Sequence, residues 1–218
     1  MKNLNGLRKN LKKTAFVCVF GITLILAFAS ASFGQDDNTA LNKQFLGTIV
    51  SGTVDQISRL LENGADVNFC DGEGRTALHY AVHAKKLEII ELLLAEKPDL
   101  TLRNKQNLLP LHQAALENFP EAIRLFLAEG VPVDARGFDS NDGPSESTAL
   151  ILAAQTKAID AARVLIEAGA DVNAITCVDG AKFRRSALFW AIKSGDKQMA
   201  AFLEENGAVR LPPGATDN

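Results

Sequence analysis

Few residues in this chain have the type and spacing to do chemistry. Of three histidines in 218 residues, His79 and His83 are four apart. On a helix that spacing sets both imidazoles on one face, as in a metal-binding pair. The sequence gathers no third ligand around them, so no metal and no cofactor is expected. Serine, threonine and cysteine form no nucleophile–base–orienter pattern with histidine and acid, and neither a glycine-rich phosphate loop nor a G-x-S-x-G turn is present. Glu62, Glu91 and Glu167 recur on the outer faces of helical segments and read as solvated charges. The chain is not expected to be an enzyme.

Composition points the same way. Hydrophobic residues make up 47% and charged residues 22%, as in a folded soluble domain, and aromatics only 6%. A single compact core usually recruits more aromatics, while a stack of Leu- and Ala-rich helices does not need them. Charge is unevenly placed. Residues 1–34 contain Lys2, Arg8, Lys9, Lys12 and Lys13 and no acid, which leaves 18 Lys and Arg against 26 Asp and Glu in the rest, a net of −8. An acidic body repels phosphate backbones, so nucleic acid is not an expected partner.

The basic start runs into Thr14-Ala-Phe-Val-Cys-Val-Phe-Gly-Ile-Thr-Leu-Ile-Leu-Ala-Phe-Ala29, and small residues follow. Ala27-Phe-Ala29 and Ala29-Ser-Ala31 both fit an A-x-A cleavage site, and Gly34 offers a third. Residues 1–34 therefore read as a signal peptide and 35–40 as a short linker. The alternative is an uncleaved anchor, because no charge occurs between Thr14 and Gln35. In either case the body is exported, to the periplasm or beyond the cell.

The body repeats itself. Thr76-Ala-Leu-His79 returns as Leu109-Pro-Leu-His112 after 33 residues, then as Ser147-Thr-Ala-Leu150 and Arg185-Ser-Ala-Leu188. About 20 residues after each comes a second phrase: Gly64-Ala-Asp-Val-Asn68, Lys97-Pro-Asp-Leu-Thr101, Gly130-Val-Pro-Val-Asp134, Gly169-Ala-Asp-Val-Asn173 and Gly207-Ala-Val. Thr76, Thr148 and Ser186 can cap a helix, and Pro110 suits a first helical turn. Ile89, Ile90, Leu92, Leu93 and Leu94 give a second helix a broad apolar face. The glycines follow such helices, where a left-handed residue ends them. Lys97 lacks that freedom and precedes Pro98, so an adjusted junction is expected there. The last helix shows Asp196, Lys197, Gln198, Glu204 and Glu205 outward, which suits a polar cap.

The two phrases resemble those of the ankyrin repeat. The resemblance implies an all-α fold: a solenoid of about five helix–turn–helix units with β-turn or hairpin fingers, over residues 41–210. The units are approximately 41–70, 71–103, 104–136, 143–175 and 181–209, followed by a tail at 211–218. It implies that His79 and His112 bond backbone of neighbouring turns. It also sets Cys70 and Cys177 three helix pairs apart, about 30 Å at the helix diameters of ~10 Å. That is beyond disulfide reach, so both are expected as free thiols.

In such proteins partners touch the fingers and the exposed end of each first helix. The register places Glu73, Arg75 and His83 there in unit two, and Lys105, Gln106, Leu108, Leu116 and Glu117 in unit three. Unit four contributes Ser145, Ser147, Gln155 and Thr156, and unit five Lys182, Phe183, Arg185 and Lys193. Insertions at 137–146 and 175–185 lengthen the last two fingers and add Phe138 and Arg184. Long loops on a rigid frame often carry function, and exposed aromatics beside arginine suit an interface. The function implied is protein–protein interaction by a monomer, as scaffold, inhibitor or accessory factor. The alternatives are a metal- or small-ligand-handling protein using His79 and His83, and a membrane-tethered form of the binding module. Terminal sequencing of the exported protein tests the address: a new N-terminus within residues 30–35 is expected, and an intact Met1 indicates the anchor.

Overall fold

The structure, a computed structural model, describes residues 38–139, 145–178 and 183–210. The chain divides into two units, Met1–Gln44 and Phe45–Asn218. Of the first, residues 38–44 are described and are helical.

Helix α1 covers residues 38–51. Then follow α2 (Val54–Glu62), α3 (Ala77–His83), α4 (Leu87–Ala95), α5 (Pro110–Leu116) and α6 (Pro120–Ala128). Strands β1 (Arg136–Asp139) and β2 (Ser145–Thr148) precede α7 (Ala149–Gln155) and α8 (Ile159–Glu167). Strands β3 (Ile175–Val178) and β4 (Phe183–Ser186) precede α9 (Ala187–Lys193) and α10 (Lys197–Glu205). The fold is all-α, with two short antiparallel hairpins among the described residues, in which Arg136 faces Thr148 and Ile175 faces Ser186.

Within the second unit, α3, α5, α7 and α9 pack side by side as one layer, and α2, α4, α6 and α8 form a second layer against it. The first helices of units two to five, α3, α5, α7 and α9, have seven residues each, far below the dozen or so that an isolated helix needs in water. Burial against the next unit supplies what length does not. Leu78, Leu111, Leu150 and Leu188 are at most 2% exposed and form one apolar column. Ala81, Ala114, Ala153 and Ala191, all fully buried, let neighbouring helices approach closely.

Polar staples fix the register. The Thr76 amide donates to His79 Nδ1 at 3.2 Å, and the Leu109 amide to His112 Nδ1 at 3.1 Å. A nitrogen that accepts from an amide carries no proton, so the proton sits on Nε2. From there His79 donates to the Leu108 carbonyl at 3.0 Å and His112 to the Ala135 carbonyl at 2.9 Å, each in the next finger. Ile151 and Phe189 hold the histidine slot in the last two units, and there the hydroxyls of Thr148 and Ser186 accept from their amides. Arg103 donates to the Arg136 carbonyl at 2.7 Å, and Arg136 to that of Ile175 at 3.1 Å, tying three fingers in series. Asn68 and Asn173 hold the loop of the following unit by accepting from the Asp99 and Val209 amides. Gly137 is glycine for lack of room: a Cβ there would stand 3.0 Å from both the His112 ring and Leu108 Cδ2.

The second helices end with a left-handed residue. Gly64, Gly130, Gly169 and Gly207 have φ between 88° and 91°. In each case the next amide bonds back five residues, as Ala170 does to Leu165 and Ala208 to Leu203. Lys97 adopts φ 52° in the same place. Pro98 has no amide to complete the pattern, and Glu96 bonds Leu93 instead. The adjusted junction is therefore real, and the repeat survives it. The outer cap holds in α10, where Met199 and Leu203 are fully buried and Arg163 covers the Phe202 ring at 5.1 Å.

Two outcomes follow for stability. Lys97→Gly should stabilise the fold by about 1 kcal/mol, and Gly169→Ala should destabilise it by about as much, because only the lysine is strained in the left-handed region; urea unfolding measures both. Burial pushes His112 down to about 4 and lowers His79 as well. The unfolded imidazoles, near 6.5, therefore protonate first as pH falls. Their contribution is complete above about pH 6.5 and is lost progressively towards pH 4. The urea midpoint should drop between pH 7 and 4.5, and the drop should be shallower in His112→Gln.

Candidate partner-binding surface

The fingers of units two and three are tight turns built around one acid or amide each. Asp71 Oδ1 accepts from the Glu73 and Arg75 amides, and Asn104 Oδ1 from those of Gln106 and Leu108. The turns lie against one another. The Lys105 amide donates to the Glu73 carbonyl at 2.8 Å, and the Lys105 ammonium stands 3.1 Å from the Glu73 carboxylate.

Asp71 organises the second finger. Arg75 binds its carboxylate at 2.9 Å, Tyr80 Oη donates to it at 2.6 Å, and the Arg75 guanidinium lies 4.9 Å over the Tyr80 ring. Burial alone would raise the carboxyl; hydrogen bonds from Tyr80, from the Arg75 amide and side chain and from the Glu73 amide hold it down to about 2. Beside it, Cys70 is a free thiol. Burial first, then Asp71 and Asp66, raise its pKa, which keeps it protonated and a weak nucleophile. The Cys177 side chain lies outside the described residues.

The metal reading of His79 and His83 meets occupied nitrogens. Both ring nitrogens of His79 are engaged by Thr76 and Leu108. His83 lies 2.9 Å from Glu117, which also accepts from Gln113 at 3.0 Å. No group of three or more metal-binding side chains occurs among the described residues.

Exposed positions among those expected from the sequence are Glu73, Arg75, His83, Lys105, Gln106, Thr156 and Lys193. Leu116, Glu117 and Gln155 are partly covered. Three positions require correction: Leu108 is 4% exposed, Ser147 1% and Arg185 6%, so none of them is a free contact residue. The reason is the alternation of side chains in an extended segment. In units three to five the residue before the cap points inward, whereas Arg75 of unit two stays exposed. There Leu108 meets the Gly137 position, Ser147 pairs with Gly137 in the β1–β2 register, and the Arg185 guanidinium lies 5.4 Å from the Trp190 ring. Reversing the Arg185 charge would therefore disturb folding as well as contact. Lys182 falls outside the described residues, as do the side chains of Phe138, Ser145, Phe183 and Arg184.

Sequence reasoning passed over Phe189, Trp190 and Ile192. The signal was available: the fifth unit has the single tryptophan of the chain directly after the histidine slot. In α9, Lys193 Nζ sits 4.9 Å from the Trp190 ring and 5.6 Å from that of Phe189, and the two rings meet edge to face at 5.6 Å.

Known proteins agree with this geometry. The family model "Ankyrin repeats (3 copies)" matches residues 20–104, 46–137, 82–176 and 111–211. Neurogenic locus notch homolog protein 1 of Xenopus laevis is 31% identical over 158 residues, 72% of this chain and 6% of that protein. The nuclear factor NF-kappa-B p105 subunit of Gallus gallus is 30% identical over 164 residues, 73% of this chain and 16% of that protein. The B-cell lymphoma 3 protein homolog of Mus musculus is 29% identical over 130 residues, 58% of this chain and 28% of that protein. The chain thus spans between 6% and 28% of the length of these relatives. Because that family model runs through the stacked helices and their fingers from residue 20 to 211, the chain belongs to the ankyrin-repeat proteins, a fold that generally binds other proteins.

Proposed function

We infer that this chain is an exported, non-catalytic module that holds a partner protein, as a scaffold, an inhibitor or an accessory factor. The observation that carries the reading is the separation of duties within each unit. The Leu and Ala columns hold the fold, while Glu73, Arg75, His83, Lys105, Gln106, Thr156 and Lys193 stay exposed on the fingers and first-helix ends of their units. Such a row of varied side chains on one frame suits an extended macromolecular contact. Export rests on residues 1–34, whose basic start, apolar run and small-residue cleavage sites have the order of a bacterial-type signal peptide. The acidic body favours a protein over a nucleic acid as partner.

The long fingers before units four and five are the proposed main contact, with Phe138, Phe183 and Arg184 as anchors. The partner captured from the native exported fraction should be lost at least tenfold, about 1.4 kcal/mol, in Phe138→Ala/Phe183→Ala and in Arg184→Glu. Thermal unfolding should stay unchanged. Arg185 is left intact because it is buried. Full capture by both variants would remove the fingers from the proposal.

A further inference from the structure

Units two and three satisfy their contact-side polar groups internally. Tyr80 is taken by Asp71, His83 and Gln113 by Glu117, and Lys105 by Glu73. Unit five does not follow them. Trp190 holds the slot of Tyr80 and Gln113, and Lys193 the slot of His83 and Leu116. Lys193 is exposed and rests on two aromatic rings, 4.9 Å from Trp190 and 5.6 Å from Phe189. Among the described residues no carboxylate pairs with it. The Trp190 indole N–H is buried without an acceptor among those same residues.

Apolar surface adjoins this cation. Phe189 holds the slot from which His79 and His112 reach the next finger, and it is partly exposed. Ile192 holds the slot of Val82, Ala115 and Ala154, each fully buried against a following unit. Ile192 itself is 47% exposed. The polar cap expected at this end exists in α10 and not in α9.

We propose that this corner of unit five docks an acidic segment of a partner protein, with a carboxylate on Lys193 and a neighbouring apolar side chain over Phe189, Trp190 and Ile192. The assignment rests on the protein-binding reading above and names the chemistry of the partner. Charge complementarity selects the occupant. An ammonium held over two rings is already positioned, so a carboxylate meets it with little further ordering. A basic segment would meet like charge. Covering the apolar trio excludes water from the ion pair and strengthens it, as at the centre of a protein interface.

Panning a random peptide display library against the full chain tests this. Trp190 is the single tryptophan, so its emission reports binding at the corner itself. Selected peptides should carry Asp or Glu beside Leu, Ile or Phe and should shift Trp190 emission. They should lose at least tenfold in affinity on Lys193→Glu, with thermal unfolding unchanged, and should weaken as salt is added. Selected peptides without acidic residues overturn the proposal. Peptides that bind Lys193→Glu as tightly as the parent and leave Trp190 emission unmoved also overturn it, while the broader protein-binding reading stands. A library that selects nothing counts against both. A dimer in sedimentation that Ile192→Glu dissolves gives the corner to a second copy and likewise overturns it.

Discussion

Burial between units is the interaction on which everything else depends. Seven-residue helices such as α3, α5, α7 and α9 have no independent stability. They persist because Leu78, Leu111, Leu150 and Leu188 share one column, and alanines at the next turn let the backbones close on each other. Each unit thus exists only as its neighbour's surface. A substitution in that column acts on two layers at once, which is the cooperative behaviour expected of a near one-dimensional array.

Apolar contact gives little register by itself, and the polar staples supply it. His79 and His112 each cap their own helix with one ring nitrogen and reach the next finger with the other. Arg103 and Arg136 continue the link from finger to finger through backbone carbonyls. Because these groups are spent on the frame, they are not available for chemistry. Of the two imidazoles that suggest a metal site in sequence, His79 is thus spent on the frame, while His83 is exposed and meets Glu117. The frame tolerates local faults for the same reason: with so many ties, the left-handed Lys97 and the missing amide of Pro98 alter one junction without loss of the repeat.

Once the frame is complete, function is left to what the frame does not consume. Units two and three bind their own polar groups into pairs, Asp71 with Arg75 and Glu117 with His83. Unit five keeps an ammonium over two rings and an apolar edge. The contrast arises within one repeated pattern, where equivalent slots carry different residues. Partner preference in such an array is written in those differences, since the backbone beneath them is nearly the same.

The repeat, its period, the cap and glycine positions and the leucine column are legible in the residues alone, because these are local patterns recurring at fixed spacing. Thr76-Ala-Leu-His79 and Gly169-Ala-Asp-Val-Asn173 each announce a helix end that near neighbours alone dictate. The adjusted junction at Lys97 was legible for the same reason. Exposure was not. Leu108, Ser147 and Arg185 look like finger-edge residues in the register, yet all three are buried: Leu108 against the Gly137 position of the next finger, Ser147 opposite Gly137 across its hairpin, and Arg185 against the Trp190 ring of the helix that follows. Which polar groups find partners is likewise a tertiary matter: His83 meets Glu117 and Lys105 meets Glu73 across units, while Lys193 meets only rings among the described residues. A slot in the repeat fixes where a side chain starts; the neighbouring layer decides whether it ends in the core, in a pair or free in solvent.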